Sequence, residues 1–66
     1  MEIRVNGEVV HIVAEKSVGS YLRACGIQAD RVVVEHNGAV LPRDSWETTR
    51  LATHDRLEIV QFVGGG

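Results

Sequence analysis

Met1, Ile3 and Val5 alternate with Glu2 and Arg4, the two-residue period of a strand with one buried face. Asn6-Gly7 follows, a pair that tolerates the positive φ angles of a tight reversal. Val10 and Ile12 then resume the inward face on a second strand, with Val9, His11 and Val13 on the other side. From Ser17 the period changes. Val18, Tyr21, Leu22 and Cys25 fall at helical spacing and form one apolar stripe, with the Ser17 hydroxyl placed as the N-cap. Gly26 stands where a left-handed residue ends a helix, and Ile27 is positioned to pack back on it. The pattern predicts a helix of about two to three turns, stable only when docked.

Residues 31–36, RVVVEH, are β-branched and predict a third strand, whose three valines suit a central position. Asn37-Gly38 marks a second tight turn into the short strand Ala39-Val40-Leu41, which Pro42 stops because proline cannot donate to a ladder. Residues 43–55 are polar and irregular around Trp46 and Leu51, with Trp46 expected to cap the core beside Leu41 and Leu51. His54-Asp55 predicts a turn before the last strand, LEIVQFV. Strand, strand, helix, strand, short strand, strand is an α+β order: a mixed sheet of five strands with one helix on one face. The other face stays open. Leu57 and Ile59 share the parity that faces the helix, so Val60 and Phe62 are expected on the open side, as a docking patch.

Composition narrows the function. The 66 residues make one domain; a domain of this size buries only about 60% of its unfolded surface and has little room for a deep active site. Net charge is −2, and the arginines spread from Arg4 to Arg56, which gives no electrostatic footprint for nucleic acid. No apolar run approaches the roughly 20 residues of a membrane span, and Glu2 and Arg4 interrupt any signal-like start. A single cysteine makes no internal disulfide. The expected location is cytoplasmic, with neither nucleic acid nor membrane as partner.

Catalytic chemistry is not visible. His11, His36 and His54 lie on different elements without ligand spacing and are expected to be ordinary surface or turn histidines, with no metal site. Cys25, on the apolar stripe, is expected to be a small buried hydrophobe. Glu8, Glu15, Glu35, Asp44 and Glu58 look like a solvated acidic surface, with no pair set in an apolar pocket. No phosphate loop is present, and the chain is expected to be no enzyme and to bind no cofactor itself.

The remaining feature is the ending, FVGGG. At an average glycine usage of about 7%, three in a row at a given place arise by chance on the order of three times in ten thousand. Glycine is costly to order and has nothing to pack. A thin glycine thread does suit a narrow slot in another protein's active site. There the terminal carboxylate of Gly66, a poor electrophile, would become reactive as an acyl-adenylate. The folded body would then supply most of the docking energy, through Val60 and Phe62 beside the thread.

Three segments, VNG at 5–7, HNGAVLPRDSW at 36–46 and DRLEIVQFVGGG at 55–66, together give the whole chain a resemblance to the ThiS family of thiamine biosynthesis, sulfur carriers of the β-grasp, ubiquitin-like fold. The resemblance implies residues 1–63 as a β-grasp domain with strand order 2-1-5-3-4, and residues 64–66 as a flexible tail. It implies that a ThiF-like enzyme adenylates Gly66 using ATP and magnesium, with Gly64 and Gly65 threaded into that enzyme. Sulfur from a cysteine desulfurase persulfide would then make a thiocarboxylate for thiazole synthase. His54 departs from the family, which often has glycine there. Carriers for molybdopterin or an alternative cysteine pathway share the tail, as do ubiquitin-like modifiers; a plain β-grasp interaction module is the third class. Lys16 is the only lysine, so self-conjugation would have one site.

Overall fold

The computed structural model describes residues 1–62. Strands β1 (Glu2–Val5) and β2 (Glu8–His11) form the opening hairpin, followed by helix α1 (Val18–Ala24), β3 (Val32–His36), β4 (Ala39–Val40) and β5 (Arg56–Gln61). Short 3₁₀ turns cover Ala29–Arg31 and Arg43–Ser45. The five strands form one sheet in the order β2-β1-β5-β3-β4. β1 and β5 run parallel, and the other pairs are antiparallel. This is the β-grasp order that the resemblance implies, with the last strand at the centre.

Local chemistry explains the elements. Asn6 (φ +49) and Gly7 (φ +84) make the first reversal, and Asn37 (φ +52) and Gly38 (φ +90) the second. The Met1 amino group donates to Ile12 O at 2.7 Å and Ile12 N–H to Met1 O at 2.8 Å, extending the hairpin one pair past its strands. Ser17 caps α1 by accepting the Ser20 N–H at 3.0 Å. The two preceding helix donors are met by the loop before β5, Val18 N–H reaching Thr49 O at 2.8 Å and Gly19 N–H reaching Trp46 O at 2.9 Å. At the other end, Gly26 (φ +76) donates to Arg23 O and Ile27 to Leu22 O, both at 3.0 Å, the paired bonds of a Schellman cap.

Ile3, Ile12, Val18, Leu22, Val34, Trp46, Leu51 and Leu57 form the core between sheet and helix. Each buried aliphatic side chain contributes about 1.5–3 kcal/mol. Trp46 closes one end and donates its indole N–H to Leu41 O at 3.0 Å. Met1, expected inward with Ile3 and Val5, is exposed instead, because it precedes β1 at the rim of the sheet. Cys25 also departs from expectation. It is exposed rather than buried: α1 ends at Ala24, and Cys25 is the cap residue, at the rim of an open groove beside Tyr21. Among the described residues, no helix is long and apolar enough to cross a membrane.

Candidate docking face and the root of the C-terminal segment

β5 sits between β1 and β3, held on both sides where it leads toward the glycines. On one side Arg4 N–H donates to Asp55 O and Asn6 N–H to Leu57 O, each at 2.9 Å. There β1 ends, and the Asn6 side chain takes its place. Its Oδ1 accepts the Ile59 N–H at 2.7 Å and its Nδ2 donates to Ile59 O at 3.3 Å. The turn residue thereby imitates one more rung of the ladder. On the other side β3 pairs with β5 from His36↔Leu57 to Val32↔Gln61, and Phe62 N–H donates to Arg31 O at 2.9 Å. Gly64, Gly65 and Gly66, assigned above as the threaded tail and its reacting terminus, lie outside the described residues, as does Val63.

Alternation along β5 turns Leu57 and Ile59 toward the helix, Leu57 fully buried and Ile59 packed against the core. Val60 and Phe62 fall on the open face, each 55% exposed. Val33, directly opposite Val60, is half-buried on the same face, and Val40, opposite Glu35, is 63% exposed. Val33, Val60 and Phe62 thus gather at the end of the face where β5 finishes, while Val40 lies one row back beside Glu35 and exposed Val9 lies opposite Arg4. On the helix face of the same end lies an open groove of about 480 Å³, lined among others by Val5, Tyr21, Cys25, Ile27, Ile59 and Gln61. Burial and the neighbouring Cys25 thiol push the Tyr21 phenol up to about 12, so it stays protonated at neutral pH and offers no base.

The histidines separate. His11 and His54 are exposed, as expected. His36 is more than a turn histidine: its ring is largely buried and its Nε2 meets Asp55 Oδ2 at 2.9 Å. Asp55 also accepts Asn37 Nδ2 at 3.0 Å and the Ala52 N–H at 2.9 Å. Burial alone pushes the Asp55 carboxyl up. The hydrogen bonds from His36, Asn37 and Ala52, with the charge of His36, together outweigh it and hold the group below its usual value. The network ties the β3–β4 turn to the loop before β5. Parity along β3 turns His36 inward with Val34, but its partner Asp55 follows only from the pairing of β3 with β5. Among the described residues, no three His, Cys, Asp or Glu side chains come together as metal ligands.

What this geometry presents is an exposed apolar surface beside an anchored last strand. The crystal structure of the thiamine biosynthesis protein (ThiS) from Geobacter metallireducens superposes with a TM-score of 0.86 at 35% identity, each chain covered in full. A thiazole synthase of Paramagnetospirillum magneticum is 35% identical over all 66 residues, which are 20% of its own length. The chain therefore spans about a fifth of the length of that relative. The uncharacterized protein ycf40 of Pyropia yezoensis is 33% identical over the whole chain and 93% of its own. The ThiS family itself matches from Ile3 through the last glycine, residues 3–66, so the likeness takes in the sheet, the open face and the ending together: the chain belongs to the ThiS family.

Proposed function

We propose that the chain is a sulfur-carrier protein of thiamine biosynthesis, a co-substrate and not a catalyst. A separate ThiF-like enzyme, using ATP and magnesium, joins the Gly66 carboxylate to AMP with release of pyrophosphate. The terminal sulfur of an enzyme persulfide, charged by a cysteine desulfurase, then attacks the acyl carbon and AMP leaves. A second thiol cleaves the resulting acyl disulfide, supplying two electrons and becoming a disulfide, so that Gly66 ends as a thiocarboxylate. Thiazole synthase takes that sulfur for the thiazole ring. The likeness of one fifth of a thiazole synthase to this whole chain supports the link to that enzyme.

The observation that carries the reading is the continuity of the family match through residue 66. Val60 and Phe62 support it by exposing apolar surface just before Gly64, Gly65 and Gly66. The narrow thread would bind poorly by itself, because ordering glycines is entropically costly, and an adjacent face offsets that loss.

The test uses one peptide. Trypsin cleaving after Arg56 releases Leu57–Gly66, which contains neither methionine nor cysteine. After incubation with ATP, cysteine, a desulfurase and a ThiF-like enzyme, its mass should rise by the difference between sulfur and oxygen, and only with ATP. An unchanged peptide, with the enzymes competent on another carrier, overturns the assignment.

A further inference from the structure

Strand register gives the open face a pattern that its apolar end alone does not explain. Antiparallel pairing sets Glu35 directly opposite Glu58, and parallel pairing sets Arg4 beside Arg56. All four belong to the open face by parity; Arg4, Arg56 and Glu58 are exposed and Glu35 is half-buried. Like charges on opposed positions of neighbouring strands destabilise a sheet. Among the described residues the ion pairs are Arg23–Glu47, His36–Asp55 and Arg50–Glu15, so none of these four joins one.

The charges are sorted into rows. Outward positions along β5 read Arg56, Glu58, Val60, with Phe62 just past its end. Across the strands this makes a row with a basic pair (Arg4 and Arg56, with Val9 beyond Arg4), a row with an acidic pair (Glu58 and Glu35, with Val40 beyond Glu35) and an apolar row (Val60 and Val33). Neighbouring rows stand about 6–7 Å apart, two residues of strand rise, which softens the repulsion within each row without neutralising it. An apolar patch by itself has little sense of direction. Rows of opposite sign beside it give the face a polarity along β5, pointing toward Phe62 and the glycines.

We propose that these rows are an orientation key for the adenylating enzyme. Its docking surface presents acidic groups to Arg4 and Arg56, basic groups to Glu35 and Glu58, and apolar ground to Val60 and Phe62. The face is then accepted only in the rotation that sends the chain beyond Phe62 into the nucleotide site. Complementary charge fixes register and speeds encounter more than it adds raw affinity. The proposal rests on the carrier reading. A second copy of the chain fits less well: a two-fold pairing of basic row on acidic row sets Val60 against the row of Glu2 and His11 and leaves the apolar end unmatched.

The experiment follows ATP–pyrophosphate exchange by a ThiF-like enzyme with the full chain at varied concentration. Two variants are compared with the wild type: E35Q/E58Q, and the row swap R4E/R56E/E35R/E58R, which keeps the net charge of −2. The row swap should raise KM for the carrier about tenfold or more at roughly 50 mM salt, with the gap shrinking toward about 500 mM as screening shortens. E35Q/E58Q should raise KM severalfold while the free protein melts about 1–4 °C higher, its like-charge pair being gone. A wild-type KM for the row swap, or a melting temperature that does not rise in E35Q/E58Q, overturns the proposal. A free protein that sediments as a salt-sensitive dimer assigns the face to a second copy and also overturns it. No exchange with the wild type, by an enzyme competent on its own carrier, has a different meaning: the carrier reading itself fails, and the key falls with it.

Discussion

Replacing His54 by glycine should make the protein more stable, against the usual cost of glycine. His54 has φ +72, in the turn that leads into β5. Its N–H donates to Glu2 O at 2.7 Å, and the next N–H, of Asp55, closes on Ala52 O at 3.0 Å. An L-residue held in the left-handed region carries about 1–2 kcal/mol of strain. Glycine adopts that region freely, but its unfolded chain is more disordered, which returns about 0.5–1 kcal/mol. Both backbone bonds survive the change, and the exposed imidazole has no packing to lose. The balance is a gain of about 0.5–1 kcal/mol, or about 2–8 °C in melting temperature for a chain of this size. Asparagine, which tolerates positive φ, should fall between the two. Valine, β-branched, should lie about 1 kcal/mol or more below the wild type. Urea unfolding followed by the fluorescence of buried Trp46 reads the series directly, through midpoints at unchanged m. A midpoint for His54→Gly at or below the wild type would refute the reasoning, since the strain at this position would then be absent.

Three further outcomes follow from the same structure. Leu22→Ala, at a position only 1% exposed in the centre of the core, should cost about 2–5 kcal/mol, most of the roughly 3–10 kcal/mol available to a chain this short, and calorimetry should show a collapsed transition. Cys25→Ser should leave stability within about 0.5 kcal/mol, and the native thiol should react with an aromatic disulfide reagent at the rate of an exposed cysteine; a protected thiol would restore the buried placement. Asp55 sets an acid limit. Its folded carboxyl lies below the usual 3.8, so its contribution is complete above that value and is lost as pH falls through the lower, folded one. Asp55→Asn should therefore be less stable at neutral pH and should lose less stability than the wild type between about pH 5 and 2, measured as melting temperature against pH.

Signals confined to a few residues were legible in the sequence, and those that depend on register were not. Asn6-Gly7, Asn37-Gly38, the Ser17 cap and the Gly26-Ile27 stop each specify their own backbone, and all fold as read. Parity along one strand likewise separates Leu57 and Ile59 from Val60 and Phe62. Cys25 misled because the stripe was extended one step past the helix, into the cap. The bonds from Asn6 to Ile59 span 53 residues and that from His36 to Asp55 spans 19, distances at which no local pattern operates. The charge rows are of the same kind: Arg4, Glu35, Arg56 and Glu58 read singly as dispersed surface charge. Slipping β3 by two residues against β5 would preserve every inward face and set Glu35 opposite Arg56, the electrostatically better partner. The chain does not take that register. Asn37 N–H donates to Arg56 O at 2.9 Å, Arg56 N–H donates to Asn37 Oδ1 at 2.8 Å, and His36 and Asp55 close the same corner. A slip would break all of these bonds at once. The turn network, unremarkable as local sequence, is what holds like charges side by side on the open face.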